Sequence, residues 1–151
     1  MSRYYLLATA AVLACHGAPQ PDVMPAEVAA AMERYQQSAR TANADSMAAH
    51  FTADGSLLEP GIPLIHTRDS IRAFLASFPG ATVDVATATP DTIEVYADRA
   101  LLWGSYFERL SFPGQPISEQ HGKFVAQWTR EGDGVLRIRR MYRIPLTTAT
   151  P

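Results

Sequence analysis

Apolar residues recur along the chain in two periods, and the change from one to the other divides it. From Pro25, Val28, Met32, Tyr35 and Ala39 fall at spacings of four, three and four, which is one stripe of an amphipathic helix. Glu33, Arg34, Gln37 and Arg40 fall off that stripe and face water. Pro25 suits a first helical turn, where its missing N–H would have no partner anyway, and Glu27 adds favourable charge there. Asn43 or Asp45 can accept from the free N–H groups of a second, short helix that ends near Phe51 and turns Met47, Ala48 and Phe51 inward. Ala53-Asp54-Gly55 then reads as a turn, and Leu57-Leu58-Glu59-Pro60 as a short apolar strand end carrying one carboxylate. Thr67 caps a third helix with Asp69 in its first turn and Ile71, Phe74, Leu75 and Phe78 as its apolar face, and Pro79-Gly80 ends it.

Beyond Gly80 the period is two. Residues 81–89 and 92–96 are rich in β-branched side chains and read as two strands. Ala97-Asp98 turns the chain into a strand over 99–112, Pro113-Gly114 into one over 117–130, and Gly132-Asp133-Gly134 into the last, 135–144. The pattern predicts an α+β domain: three N-terminal helices collected on one face of a strongly curved antiparallel meander. On the last strand Leu136, Ile138, Tyr142 and Ile144 are apolar at even positions, so that face points to the core and Arg140 is the one charge on it. A buried guanidinium needs a carboxylate, either Glu59 or one belonging to a ligand. A slip of one residue would turn Arg140 to solvent instead.

Composition changes this picture little. The chain has 151 residues, 47% apolar and 19% charged, which is one domain able to bury a core. A net charge of −2 gives no footprint for nucleic acid, and the basic residues near the end alternate as a strand does. Arg3 precedes an apolar run over 4–14 that is too short to span a bilayer and right for a signal-peptide core. Val12-Leu13-Ala14-Cys15 resembles a bacterial lipobox, whose cysteine is lipidated; ordinary cleavage nearby is the alternative. The expected organisation is a signal peptide over 1–15, a tether over 16–23, the domain over 24–146 and a tail over 147–151. The product would be an exported, periplasmic or membrane-tethered protein that meets the membrane only through Cys15. Three histidines in the domain, His50, His66 and His121, are scattered without a cysteine partner, so no metal site is expected. No G-x-S-x-G and no glycine-rich phosphate loop occurs, which argues against serine hydrolases of that type and against nucleotide cofactors.

Several ordered segments carry a resemblance: Tyr35 followed by Asn43-Ala44-Asp45 and Phe51-Thr52-Ala53-Asp54-Gly55; Arg68-Asp69-Ser70-Ile71-Arg72-Ala73-Phe74; and Gly122-Lys123-Phe124-Val125-Ala126-Gln127-Trp128 with Gly132-Asp133-Gly134. Over roughly 26–145 the chain resembles the nuclear transport factor 2-like superfamily, in particular its SnoaL-like and ketosteroid-isomerase-like branches. The resemblance implies a conical fold but no single activity, because that fold hosts isomerases, cyclases, dehydratases, binding subunits and transport factors. Ketosteroid isomerases use a carboxylate base with an oxyanion hole made of a tyrosine and a protonated aspartic acid. The resemblance places Tyr35 at the tyrosine, Glu59 at the base and Gly122 at the acid, with His121 as a replacement donor beside it. Three readings stay open. One is a pocket that binds a small apolar or carboxylate-bearing molecule with Arg140 and Tyr35, walled by Phe124, Trp128, Ile138 and Tyr142. Another is an isomerase-, cyclase- or dehydratase-like enzyme, working without metal or cofactor, in which Glu59 removes a proton α to a carbonyl and Tyr35 stabilises the enolate. A third possibility is that the open sheet face makes a homodimer and the pocket is residual.

Overall fold

Helix α1, Pro25–Arg40, begins where Pro25 fits the first turn and Glu27 reaches back to accept a hydrogen bond from the Met24 amide at 2.9 Å. The computed structural model describes residues 22–146; Cys15 with its apolar run, and the tail over 147–151, lie outside the described residues. Val28, Ala31, Met32, Gln36 and Ala39 are buried along α1, while Tyr35 is only partly covered by protein. Helix α2, Ala44–Ala48, is capped by the Asn43 side chain, which accepts from the Ser46 amide at 2.8 Å. It stops short of Phe51, which is not helical but opens the strand β1, Phe51–Leu58. Ala53-Asp54-Gly55 is likewise no turn between elements. It lies in an irregular stretch of β1, between the pairing of Phe51 with Ile138 and that of Ser56 with Arg140. Helix α3, Arg68–Ala76, starts at Thr67, whose hydroxyl accepts from the Ser70 amide.

The remaining strands are β2, Ile65–His66; β3, Thr82–Val95; β4, Arg99–Ser111; β5, Ser118–Arg130; and β6, Leu136–Pro145. They form one six-stranded sheet in the order β2-β1-β6-β5-β4-β3. From β3 to β6 the sheet is the expected antiparallel meander. The parallel pairing of β1 with β6 is not visible in strand patterns, because it joins segments far apart in the chain. The two segments 81–89 and 92–96 are one strand, β3, whose register shifts between Pro90 and Thr92. On its free edge, Gln36 of α1 both donates to the Ala88 carbonyl and accepts from the Ala88 amide, each at 2.9 Å, and Arg40 donates to the Ala86 carbonyl. The helix thereby covers a strand edge that would otherwise invite pairing with another chain.

Large and small side chains alternate across the inner face of the sheet. Trp128 lies opposite Ala100, Phe124 opposite Gly104, and Tyr106 opposite Gly122. A methyl group at Gly122 would approach Tyr106 Cε1 to 2.8 Å and collide with the Ile144 carbonyl.

The last strand departs from strict alternation. Gln127 pairs with Arg140 and Trp128 with Ile138, so Arg139 is an extra residue, a β-bulge. Before it Leu136 and Ile138 face inward; after it the inward residues are Met141 and Arg143. The expectation that Arg140 faces the core is therefore wrong: Arg140 is exposed. Tyr142 pairs with Val125, itself opposite the exposed Trp103, so it lies on the outer face as well.

Gly122→Ala is expected to cost about 3 kcal/mol, since both a carbonyl and a ring must move. Gly132→Ala, at a site with nothing within 4 Å, is expected to stay within about 0.5 kcal/mol. Urea unfolding midpoints of the two variants measure the difference.

Candidate functional site

Glu59 is the first residue after β1, where the strand gives way to Pro60-Gly61. The bulge in β6 turns Arg143 toward it, and Glu108 comes from the inner face of β4, two residues beyond Tyr106. Arg143 Nη1 lies 3.1 Å from Glu59 Oε1 and Nη2 lies 2.7 Å from Glu108 Oε2. The three side chains are only 12%, 15% and 21% exposed, for Arg143, Glu59 and Glu108. The guanidinium carbon sits 4.0 Å from the centre of the Tyr106 ring, a cation–π stack.

Burial and charge act against each other here. Burial pushes the Glu59 carboxyl up, Arg143 pulls it down, and Glu108 pushes it up again; the net direction is up. Burial would lower Arg143, but the two carboxylates prevail and hold it above its already high value. Tyr35 is pushed well above its ordinary value by burial and then by the Glu59 charge, so its hydroxyl stays neutral and can donate. Burial also raises Tyr106, with Arg143 opposing. With both carboxylates ionised, one guanidinium faces two negative charges.

Glu59, Glu108, Arg143 and Tyr35 share a cavity of about 310 Å³. Tyr35, Glu59, Glu108, Gln120 and Arg143 supply its polar lining, and Met47, Leu57, Phe74, Leu75, Leu110 and Phe112 are prominent in its apolar walls. Of the residues singled out from the sequence, the structure brings Glu59 and Tyr35 together there. Of the others, only Phe124 comes beside it. Arg140 and Tyr142 lie on the outer face. His121 is exposed and neighbours the inward Gly122, so its side chain points away from the cavity. Trp128 and Ile138 are fully buried in the core; Phe124, 3% exposed, lines a small hollow beside the cavity together with Tyr35, Tyr106, Glu108 and Arg143. Arg143, Glu108 and Gln120 were missed. Glu108 had a signal: it shares parity with Leu102, Tyr106 and Leu110, a carboxylate on an otherwise inward apolar row.

A SnoaL-like domain signature spans residues 25–142. The chain belongs to the SnoaL-like domain family. Its fold is the nuclear transport factor 2-like cone. A ketosteroid isomerase-like protein from Erwinia carotovora atroseptica superposes with a TM-score of 0.72 at 18% identity, covering 81% of this chain and 95% of that one. A nuclear transport factor 2-like superfamily protein from Salmonella enterica serovar Typhimurium gives 0.68 at 16% identity, covering 83% and 92%. A structure from Catenulispora acidiphila in complex with S-DNPA gives 0.65 at 17%, covering 78% and 91%. At such identities the likeness concerns the fold. No curated protein matches the chain. In this SnoaL-like domain the position that the isomerase resemblance assigns to an acid, Gly122, has no space for a side chain.

Arg143→Met is expected to destabilise the SnoaL-like domain by about 3 kcal/mol or more, because it strands two buried carboxylates; Arg140→Met should change stability by less than about 0.5 kcal/mol. Chemical denaturation of both variants distinguishes the inward arginine from the outward one. Folding raises the Glu59 pKa above its ordinary 4.5, so the folded state binds that proton more readily. The stability this group contributes is complete below about pH 4.5 and declines as pH rises through the folded value. Glu59→Gln is expected to remove that decline from a plot of unfolding midpoint against pH.

Proposed function

We propose that this SnoaL-like domain binds a small, mostly apolar molecule whose single polar end meets Glu59, Arg143, Glu108 and Tyr35. The observation that carries the reading is the cavity of about 310 Å³ with apolar walls and one ionic cluster, the composition expected of a small-molecule site. Apolar walls supply affinity in proportion to the area they dehydrate, and a few convergent polar groups fix orientation. A carboxylate-bearing ligand fits poorly, because Arg143 is already engaged by two carboxylates and a third would add to the negative charge. Export, with a membrane tether at Cys15, belongs to the same proposal and is supported by Arg3 and the apolar run over 4–14. The expected result is that Leu110→Trp, which fills the cavity from β4, weakens binding of 2-phenylethanol by about tenfold or more in calorimetric titration. Undiminished affinity would remove this cavity as the binding site.

A second reading is favoured by one arrangement: a carboxylate whose proton affinity is raised and a neutral tyrosine hydroxyl line the same cavity. Glu59 would then act as a general base on a carbon acid, with Tyr35 donating to the enolate oxygen. Tyr35 works alone in this scheme, since Gly122 offers no second donor. In deuterated water the domain should accelerate exchange of the protons α to the carbonyl of 4-phenylbutan-2-one, and Glu59→Gln should cut that rate by about 100-fold. Exchange at the buffer rate with wild-type protein would dismiss the enzyme reading and leave the binding one intact.

A further inference from the structure

We infer that the cavity selects a protonated amine: a molecule with an apolar body and one cationic nitrogen held by Glu59 and Glu108. This rests on the pocket reading above and names the class of ligand. The argument is one of charge and donor count. The titratable groups around the cluster are Tyr35 from α1, Glu59 at the end of β1, Tyr106 and Glu108 from β4 and Arg143 from β6, and Gln36, Thr87 and Gln120 are the uncharged polar side chains beside them. Among the described residues lining the cavity, Arg143 is the only cation, and it faces two carboxylates. Its two terminal nitrogens are engaged, Nη1 at 3.1 Å from both oxygens of Glu59 and Nη2 at 2.7 Å from Glu108 Oε2. Its flat face is covered by Tyr106. The guanidinium therefore has little left to offer an anion.

The carboxylates do have capacity left. Each oxygen can accept two hydrogen bonds, and Arg143 bonds only Oε2 of Glu108. An ammonium brings three donors, no acceptor and the single positive charge that balances the cluster. A hydroxyl brings one donor and no charge, and a carboxylate brings acceptors alone. In a partly dehydrated cavity a charge-assisted hydrogen bond is about twice as strong as a neutral one, so the amine is preferred over its isosteric alcohol. The apolar walls, in turn, favour an organic cation with a hydrophobic body over a hydrated inorganic ion.

Isothermal titration at pH 7 with 2-phenylethylamine, 2-phenylethanol and 3-phenylpropanoate tests this on the wild-type protein and on Glu108→Gln. That variant removes the excess charge while keeping an oxygen for Arg143. The expected result is an amine affinity about tenfold or more above that of the alcohol, with no detectable binding of the acid. Glu108→Gln should reduce the amine-to-alcohol ratio to about one. If the variant does not fold, Glu59→Gln makes the same charge change and carries the same expectation. Wild-type protein that binds the alcohol as well as the amine, or a ratio unchanged in a folded variant, overturns the amine inference and leaves the pocket reading standing. Failure of all three probes to bind overturns both.

Discussion

Arg143, laid flat on Tyr106 and gripped by Glu59 and Glu108, ties together three parts of the chain that secondary structure alone leaves independent: the end of β1, the middle of β4 and the end of β6. Only an arginine suits this place, because a planar fork can reach two carboxylates while its face stacks on a ring; a lysine would offer a single point of charge. The cluster need not add to net stability, since dehydrating three charges costs roughly what their attraction returns. What it does is hang the arrangement on Arg143, because its loss leaves two carboxylates buried and unmatched.

β4 and β6 are not neighbours in the sheet; β5 lies between them. For Arg143 to reach Glu108, the intervening strand must present almost nothing at that level, and it presents Gly122, whose missing side chain makes way for the Tyr106 ring beneath the guanidinium. The glycine that departs from the isomerase pattern is thus not a gap in the site. The space where an acid would stand is occupied by the stack that supports a different constellation, two carboxylates about one cation. This makes the isomerase comparison a guide to the cone and to Glu59 and Tyr35, and a poor guide to what completes them.

Much of the architecture was legible in the sequence because it is written in local terms. The stripe Val28, Met32 and Ala39, the caps at Asn43 and Thr67, and the glycine-bearing turn before β6 each need only a few consecutive residues to be recognised. Glu59 stood out as the carboxylate at a strand end before Pro60, and the roles of Glu59 and Tyr35 came through resemblance. The failures are nonlocal or break a period. The parallel pairing of β1 with β6 leaves no short-range mark, and Phe51 looked helical because its partners, Ile138 among them, lie far along the chain. Reading β6 with period two carried the parity straight across Arg139 and selected Arg140 instead of Arg143. The clue was present as two adjacent arginines between Ile138 and Met141, where unbroken alternation would have placed one polar residue between two apolar ones.

The bulge at Arg139 bears on how this chain is compared with its relatives. One added residue shifts the phase of everything after it, so the cation that enters the cavity is decided by strand length as much as by residue identity. Aligned without a gap against a relative whose last strand lacks the bulge, Arg143 would be matched to a residue on the opposite face, and an outward residue would be matched to its inward counterpart. Tracing the lineage of this site therefore requires placing an insertion within Ile138-Arg139-Arg140 before any arginine is judged kept or lost. A single-residue deletion there would replace the contents of the pocket without altering one of its side chains.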